Sequence, residues 1–122
     1  MNLTVLTRWL VRVSLAGLFG YFGVMAVMDP SGQAAIWMQP WVQQLIASFL
    51  PVTTMTLITG VLQIVIAVIL VVGRPLIIGL SLASLLLIGI IVNLGFNDVS
   101  LRDTVILMTV LYLLAQEIDA RR

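Results

Sequence analysis

The chain is expected to fold as an all-α membrane protein, with four transmembrane helices in a bundle and a short amphipathic interfacial helix between helices 1 and 2. Three observations predict this. Hydrophobic residues make up 61% and charged residues 9% of the 122 positions, against roughly 45–50% and 25% in soluble domains. No Asp, Glu, Lys or Arg occurs from Pro30 to Gly73 or from Pro75 to Asn97, and a charge near the bilayer centre costs about 2.5–3.5 kcal/mol on insertion scales. All six basic residues are Arg, and they fall at or near the ends of the apolar runs. A hydrocarbon core needs ~20 residues per helix, so residues 1–122 make one integral membrane domain with little left over.

The first helix is expected from about Thr7 to Met28, where Asp29-Pro30-Ser31-Gly32 supplies helix-stopping and turn residues. Its apolar run is longer than a signal-peptide core of ~7–15 residues and lacks a small-residue cleavage site, so it is expected to be retained. Past Pro40, residues Trp41, Val42, Leu45, Ile46, Phe49 and Leu50 recur at helical spacing on one face. That pattern predicts an interfacial helix over about 40–50, flat on the outer membrane surface or against a partner, with Trp37 and Trp41 as anchors in the headgroup layer. The second span is expected over Val52 to Val72, capped by Gly73, and the third over Leu76 to Leu94, stopped by Gly95. The fourth is expected from about Leu101 to Ile118, with Ser100 and Asp103 at capping-box-like spacing. Its uncharged stretch, Thr104 to Gln116, is short, so it spans only with Arg102 and Glu117 at the two interfaces.

Arg distribution sets the orientation. With the amino terminus cytoplasmic, Arg8, Arg12, Arg74, Arg121 and Arg122 lie inside and Arg102 alone outside, a positive-inside bias that puts both termini in the cytoplasm. A net charge of +1 implies no nucleic-acid partner. Cys and His are absent, which excludes disulfide chemistry, His or Cys metal sites and His-ligated haem. No metal site, catalytic group or covalently bound cofactor is expected.

Candidate functional residues are therefore few. Gly17, Gly20 and Gly23 in the first helix, and Gly79 with Ala83 in the third, are small residues that allow close helix packing or a partner interface. Gln63, near the middle of the second span, either bonds to a neighbouring helix or to the carbonyl of a buried ligand such as a quinone or lipid, with Tyr21 and Trp41 as further candidates. Asn93 is placed to be hydrated or to cap its helix. Arg102 and Asp103 open the fourth helix as interfacial anchors or as a docking point for a partner or headgroup. Thr53, Thr54, Thr56 and Thr59 are expected to bond back to their own helix.

The run Gly17-Leu18-Phe19-Gly20-Tyr21-Phe22-Gly23 followed by Asp29-Pro30 resembles the first helix of the DoxX family of small four-helix bacterial membrane proteins. Gly60-Val61-Leu62-Gln63 with Gly73 before Pro75 resembles the second helix of that family, and Arg102-Asp103 the opening of its fourth. Relatives often carry Glu where Gln63 stands and Lys where Ala26 stands, so this chain has lost both charges. The resemblance implies a place in the bacterial inner membrane and association with redox systems, including a small subunit of quinone-linked sulfur oxidation. The expected role is a non-catalytic integral or accessory subunit, in contact with membrane lipids and with a larger complex or further copies of itself. A quinone-reactive subunit of a thiosulfate:quinone-type oxidoreductase is the alternative. A small transporter is less favoured, because no span carries a titratable residue at its middle.

Overall fold

The computed structural model describes residues 2–73, 75–95 and 98–120, apart from the side chain of Leu94. Among these residues there are six helices: α1 (Leu3–Met28), α2 (Pro30–Trp37), α3 (Pro40–Ala47), α4 (Val52–Val72), α5 (Leu76–Leu94) and α6 (Asp98–Ala120). The chain is an all-helical membrane protein in which three helices, α1, α4 and α5, are long and apolar enough to cross a bilayer. α6 has 23 residues but carries Asp98, Arg102, Asp103, Glu117 and Asp119, and is not among those three. Arg74, Arg121 and Arg122, three of the cations in the orientation count, lie outside the described residues, as does the 96–97 part of the turn before α6.

Local chemistry explains where the elements differ from expectation. α1 begins four residues early because Asn2 caps it, its Oδ1 accepting the Val5 N–H at 2.8 Å. Asp29-Pro30, expected only to stop a helix, also starts one. Asp29 Oδ1 accepts the Gly32 N–H at 3.2 Å while Pro30 occupies the first turn, where its missing N–H costs nothing. The segment between the first two spans is therefore two short helices, broken at Met38 and Gln39, whose backbone is extended, and restarted by Pro40. α3 ends at Ala47, short of the expected Leu50. α6 begins at Asp98, so Ser100 and Asp103 lie inside it and do not form a capping box; the Ser100 hydroxyl instead donates to the Gly95 carbonyl. Gly73 closes α4 in the left-handed region at φ 85°, donating its N–H to the Ile69 carbonyl.

Packing is by pairs: α1 lies along α4 and α5 along α6, with α4 and α5 in contact between them. The core that joins the pairs includes Phe19, Ile66, Leu70, Leu80, Val110 and Leu113. α1 and α4 cross closest at Gly23 and Gly60. A Cβ on Gly60 would lie 2.8 Å from the Ala26 Cβ and 2.9 Å from the Gly23 carbonyl oxygen, so neither helix has room for a side chain there. Gly79 lies under the side chain of Ile69, which fills the place of a Cβ there, and Ala83 is fully buried. Gly20 is less tight, at 3.7 Å from Ala67 Cβ, and a Cβ on Gly17 would meet nothing. The close-packed seam is thus Gly23 with Gly60, shifted from the Gly17–Gly20 end. At the opposite end of this pair, Arg12 donates from Nε and Nη2 to the Leu70 carbonyl at 3.1 and 2.9 Å. It satisfies an orphan acceptor in the last turn of α4 and places a cation at the negative end of the helix dipole.

Asn93 has a more specific task than hydration or capping. Its Nδ2 donates to the Trp37 carbonyl at 2.9 Å and its Oδ1 accepts the Gln39 N–H at 3.1 Å, clamping the α2–α3 elbow to α5. Gln43 closes the elbow from within by donating to the Met38 carbonyl at 2.9 Å. Replacing Asn93 by Leu removes two bonds and leaves two backbone groups unpaired. The expected result is a loss of about 1–2 kcal/mol, seen as faster amide exchange confined to Pro30–Ala47; unchanged exchange there would show that the elbow holds itself.

Candidate functional site: an apolar cavity between the helix pairs

The helix pairs separate in the half of the bundle that carries α2 and α3, leaving a cavity of about 330 Å³. Phe19, Phe22 and Ala26 of α1 form one wall, and Leu87 and Ile90 of α5 the opposite one. α2 contributes Ala34 and Trp37 to the lining, held there by the Asn93 clamp and by Phe22, whose ring meets Trp37 edge-on at 6.1 Å. Small residues at Ala26 and Ala34, both buried, keep the volume open.

Against these apolar walls stand a few polar side chains, and most are already committed. Thr56 and Thr59 donate their hydroxyls to the Val52 and Met55 carbonyls of their own helix. Gln33 accepts the Trp37 indole N–H at 2.9 Å. Asn93 is spent on the elbow. Gln63 differs: it is only 8% exposed, it borders the cavity, and among the described residues it makes no intramolecular hydrogen bond. No buried polar atom of the described residues is sealed without a partner, so the Gln63 amide abuts the open volume and is not trapped in packing. An amide offers two donors and one acceptor oxygen, and leaving it unmatched in an apolar site costs about 1–3 kcal/mol. A ligand carbonyl or hydroxyl placed in the cavity recovers that cost.

Arg102 and Asp103 border the same cavity from α6. Arg102 is exposed and Asp103 half-buried. The two other ligand candidates lie elsewhere. Tyr21 is 64% exposed, with its ring edge-on to Phe22 at 5.3 Å, and Trp41 is 52% exposed on α3; neither borders the cavity. Trp37, expected as a headgroup anchor, is a cavity wall whose indole N–H is bonded within α2. Gly17 borders a separate shallow groove on the outer face of the α1–α4 pair, with Val13, Ala67 and Val71. The described residues contain no cluster of acidic side chains able to hold a metal ion.

What the site can do chemically follows from this inventory. It can bind a molecule of low polarity through its walls and fix one oxygen of that molecule at Gln63. It offers no nucleophile paired with a base. No family model, no curated protein and no solved structure matches the chain.

Proposed function

We propose that the chain is a DoxX-like integral membrane subunit that holds a lipid-soluble, carbonyl-bearing ligand of the quinone class for a larger redox complex. One observation carries the ligand-binding part: a nine-tenths-buried Gln63 amide, without a hydrogen-bond partner among the described residues, borders an apolar cavity at mid-helix depth. Association with a redox system is what the resemblance in α1, α4 and α6 implies. The protein supplies walls, a hydrogen bond and a location; electrons pass to and from the ligand through its partners.

The topology belongs to the same proposal. α6 is the fourth span, packed along α5, with Leu101, Val105, Met108 and Tyr112 exposed at helical spacing as a lipid-facing stripe. Both termini are cytoplasmic in a bacterial inner membrane, and α2 and α3 lie at the outer surface. Trp41 and Leu45 of α3, with Phe49 in the turn that follows it, are exposed and form an apolar edge suited to lying in the headgroup layer.

A tagged copy extracted from native membranes in mild detergent provides the test. The expected result is a mass above that of the chain alone, redox-active partner subunits, and about one extractable quinone per chain. A lone chain free of quinone would overturn the proposal; a large complex without quinone would reduce it to docking alone.

A further inference from the structure

Asp103 is a second polar group on the cavity wall that makes no hydrogen bond within the chain among the described residues. It stands on α6 and Gln63 on α4, so the two border one volume from the two helix pairs. Asp103 is half-buried, so its carboxylate loses part of its water shell, a cost that a hydrogen-bond donor in the cavity offsets. Arg102, the residue before it, also borders the cavity and attracts the Asp103 carboxylate, but it is exposed and long enough to reach headgroup water.

The two groups ask different things of a ligand. An ionised carboxylate only accepts hydrogen bonds, whereas the amide both donates and accepts. We infer that the cavity selects the hydroxylated, reduced form of its ligand, a lipid-soluble hydroquinone, with Asp103 accepting an O–H hydrogen bond and Gln63 engaging another ligand oxygen. The inference rests on the quinone-class proposal above and deepens it by assigning the redox form. The oxidised, dicarbonyl form has no hydroxyl to offer Asp103 and brings oxygen lone pairs against the carboxylate. Asp103 is then a specificity-determining residue, and no covalent or electron-transfer step is assigned to it.

The experiment is anaerobic equilibrium dialysis of the full chain in detergent against a short-tailed benzoquinone and, separately, its hydroquinone. The hydroquinone is expected to bind about tenfold more tightly, the worth of one charge-assisted hydrogen bond. Asp103→Asn supplies an amide that can donate to a carbonyl, and is expected to bring the two forms to within about twofold. Asp119→Asn, a carboxylate at the other end of α6 that does not border the cavity, is expected to leave the preference in place. Equal binding of both forms by the native chain, weakened alike by Gln63→Leu, would overturn the redox selectivity while leaving the cavity proposal intact. Saturable binding of neither form would overturn both. If Asp103→Asn does not fold, the ratio for the native chain alone decides.

Discussion

Gly60→Leu is expected to be the most damaging single substitution in the bundle, lowering stability by about 3 kcal/mol, at the upper end of overpacking costs. The added atoms would meet the Ala26 Cβ at 2.8 Å and the Gly23 carbonyl oxygen at 2.9 Å. Neither can rotate out of the way, because one is a methyl group fixed to the backbone and the other is the backbone itself. The remaining escape is to move α1 away from α4, and that forfeits the longest helix pairing in the molecule. Gly17→Leu, on the partner helix α1, is the control: a Cβ there meets nothing, and its effect should stay within ~0.5 kcal/mol. Gly20→Leu should fall between them, because a first carbon is accommodated at 3.7 Å from Ala67 but the rest of the side chain is not. Thermal unfolding of the three variants in one detergent gives the order. A Gly60→Leu protein as stable as Gly17→Leu would mean that the helices cross elsewhere.

Gln63→Leu is expected to separate function from stability. The substitution removes an amide that has no partner within the described chain and puts a hydrocarbon of similar size against apolar walls, so the empty protein should gain about 1 kcal/mol or stay level. Ligand affinity should fall by about tenfold or more, because the ligand oxygen then enters the cavity with nothing to replace its lost hydrogen bond. A residue kept only for helix packing would behave in the opposite way. Its loss would destabilise the bundle and leave ligand binding unchanged.

The helical class and the apolar spans are legible in the sequence because a membrane imposes a one-dimensional rule: long runs without charge, bounded by Gly, Pro or Arg. Gly73 and Gly95 mark the ends of α4 and α5, where both adopt positive φ. α2 was hidden because Asp29 and Pro30 are ambiguous. Beside an apolar run they stop a helix, yet an Asp cap followed by Pro in the first turn is also how a helix begins. α6 departs from expectation at its start, since Ser100 and Asp103 fit a capping pattern by spacing while the described helix already includes Asp98.

The site was legible only in part, and the reason is three-dimensional pairing. Gln63 stood out as a lone amide in a charge-free run, but its lack of a hydrogen bond among the described residues became visible only once its neighbours were in place. Gly60 gave no packing signal by itself; it matters because Gly23 of another helix arrives opposite it. Asn93 and the Trp37–Gln39 elbow are 54 to 56 residues apart in the chain, and no local pattern joins them. Arg12 reads as a topology marker, yet its guanidinium also caps α4 across 58 residues. Asp103 reads as an anchor from its place in the chain, and only the separation of the two helix pairs makes it part of a cavity wall.

The most direct measurement of the central claim is equilibrium quenching of tryptophan fluorescence by a short-tailed quinone, with native and Gln63→Leu protein in lipid nanodiscs. With Trp9 and Trp41 changed to Phe in both proteins, Trp37 on the cavity wall is the reporter. The expected result is saturable quenching at one ligand per chain in the native protein, with the midpoint shifted at least about tenfold by Gln63→Leu. Quenching that rises without saturation, or an identical saturable curve for both proteins, would contradict a ligand site built around Gln63.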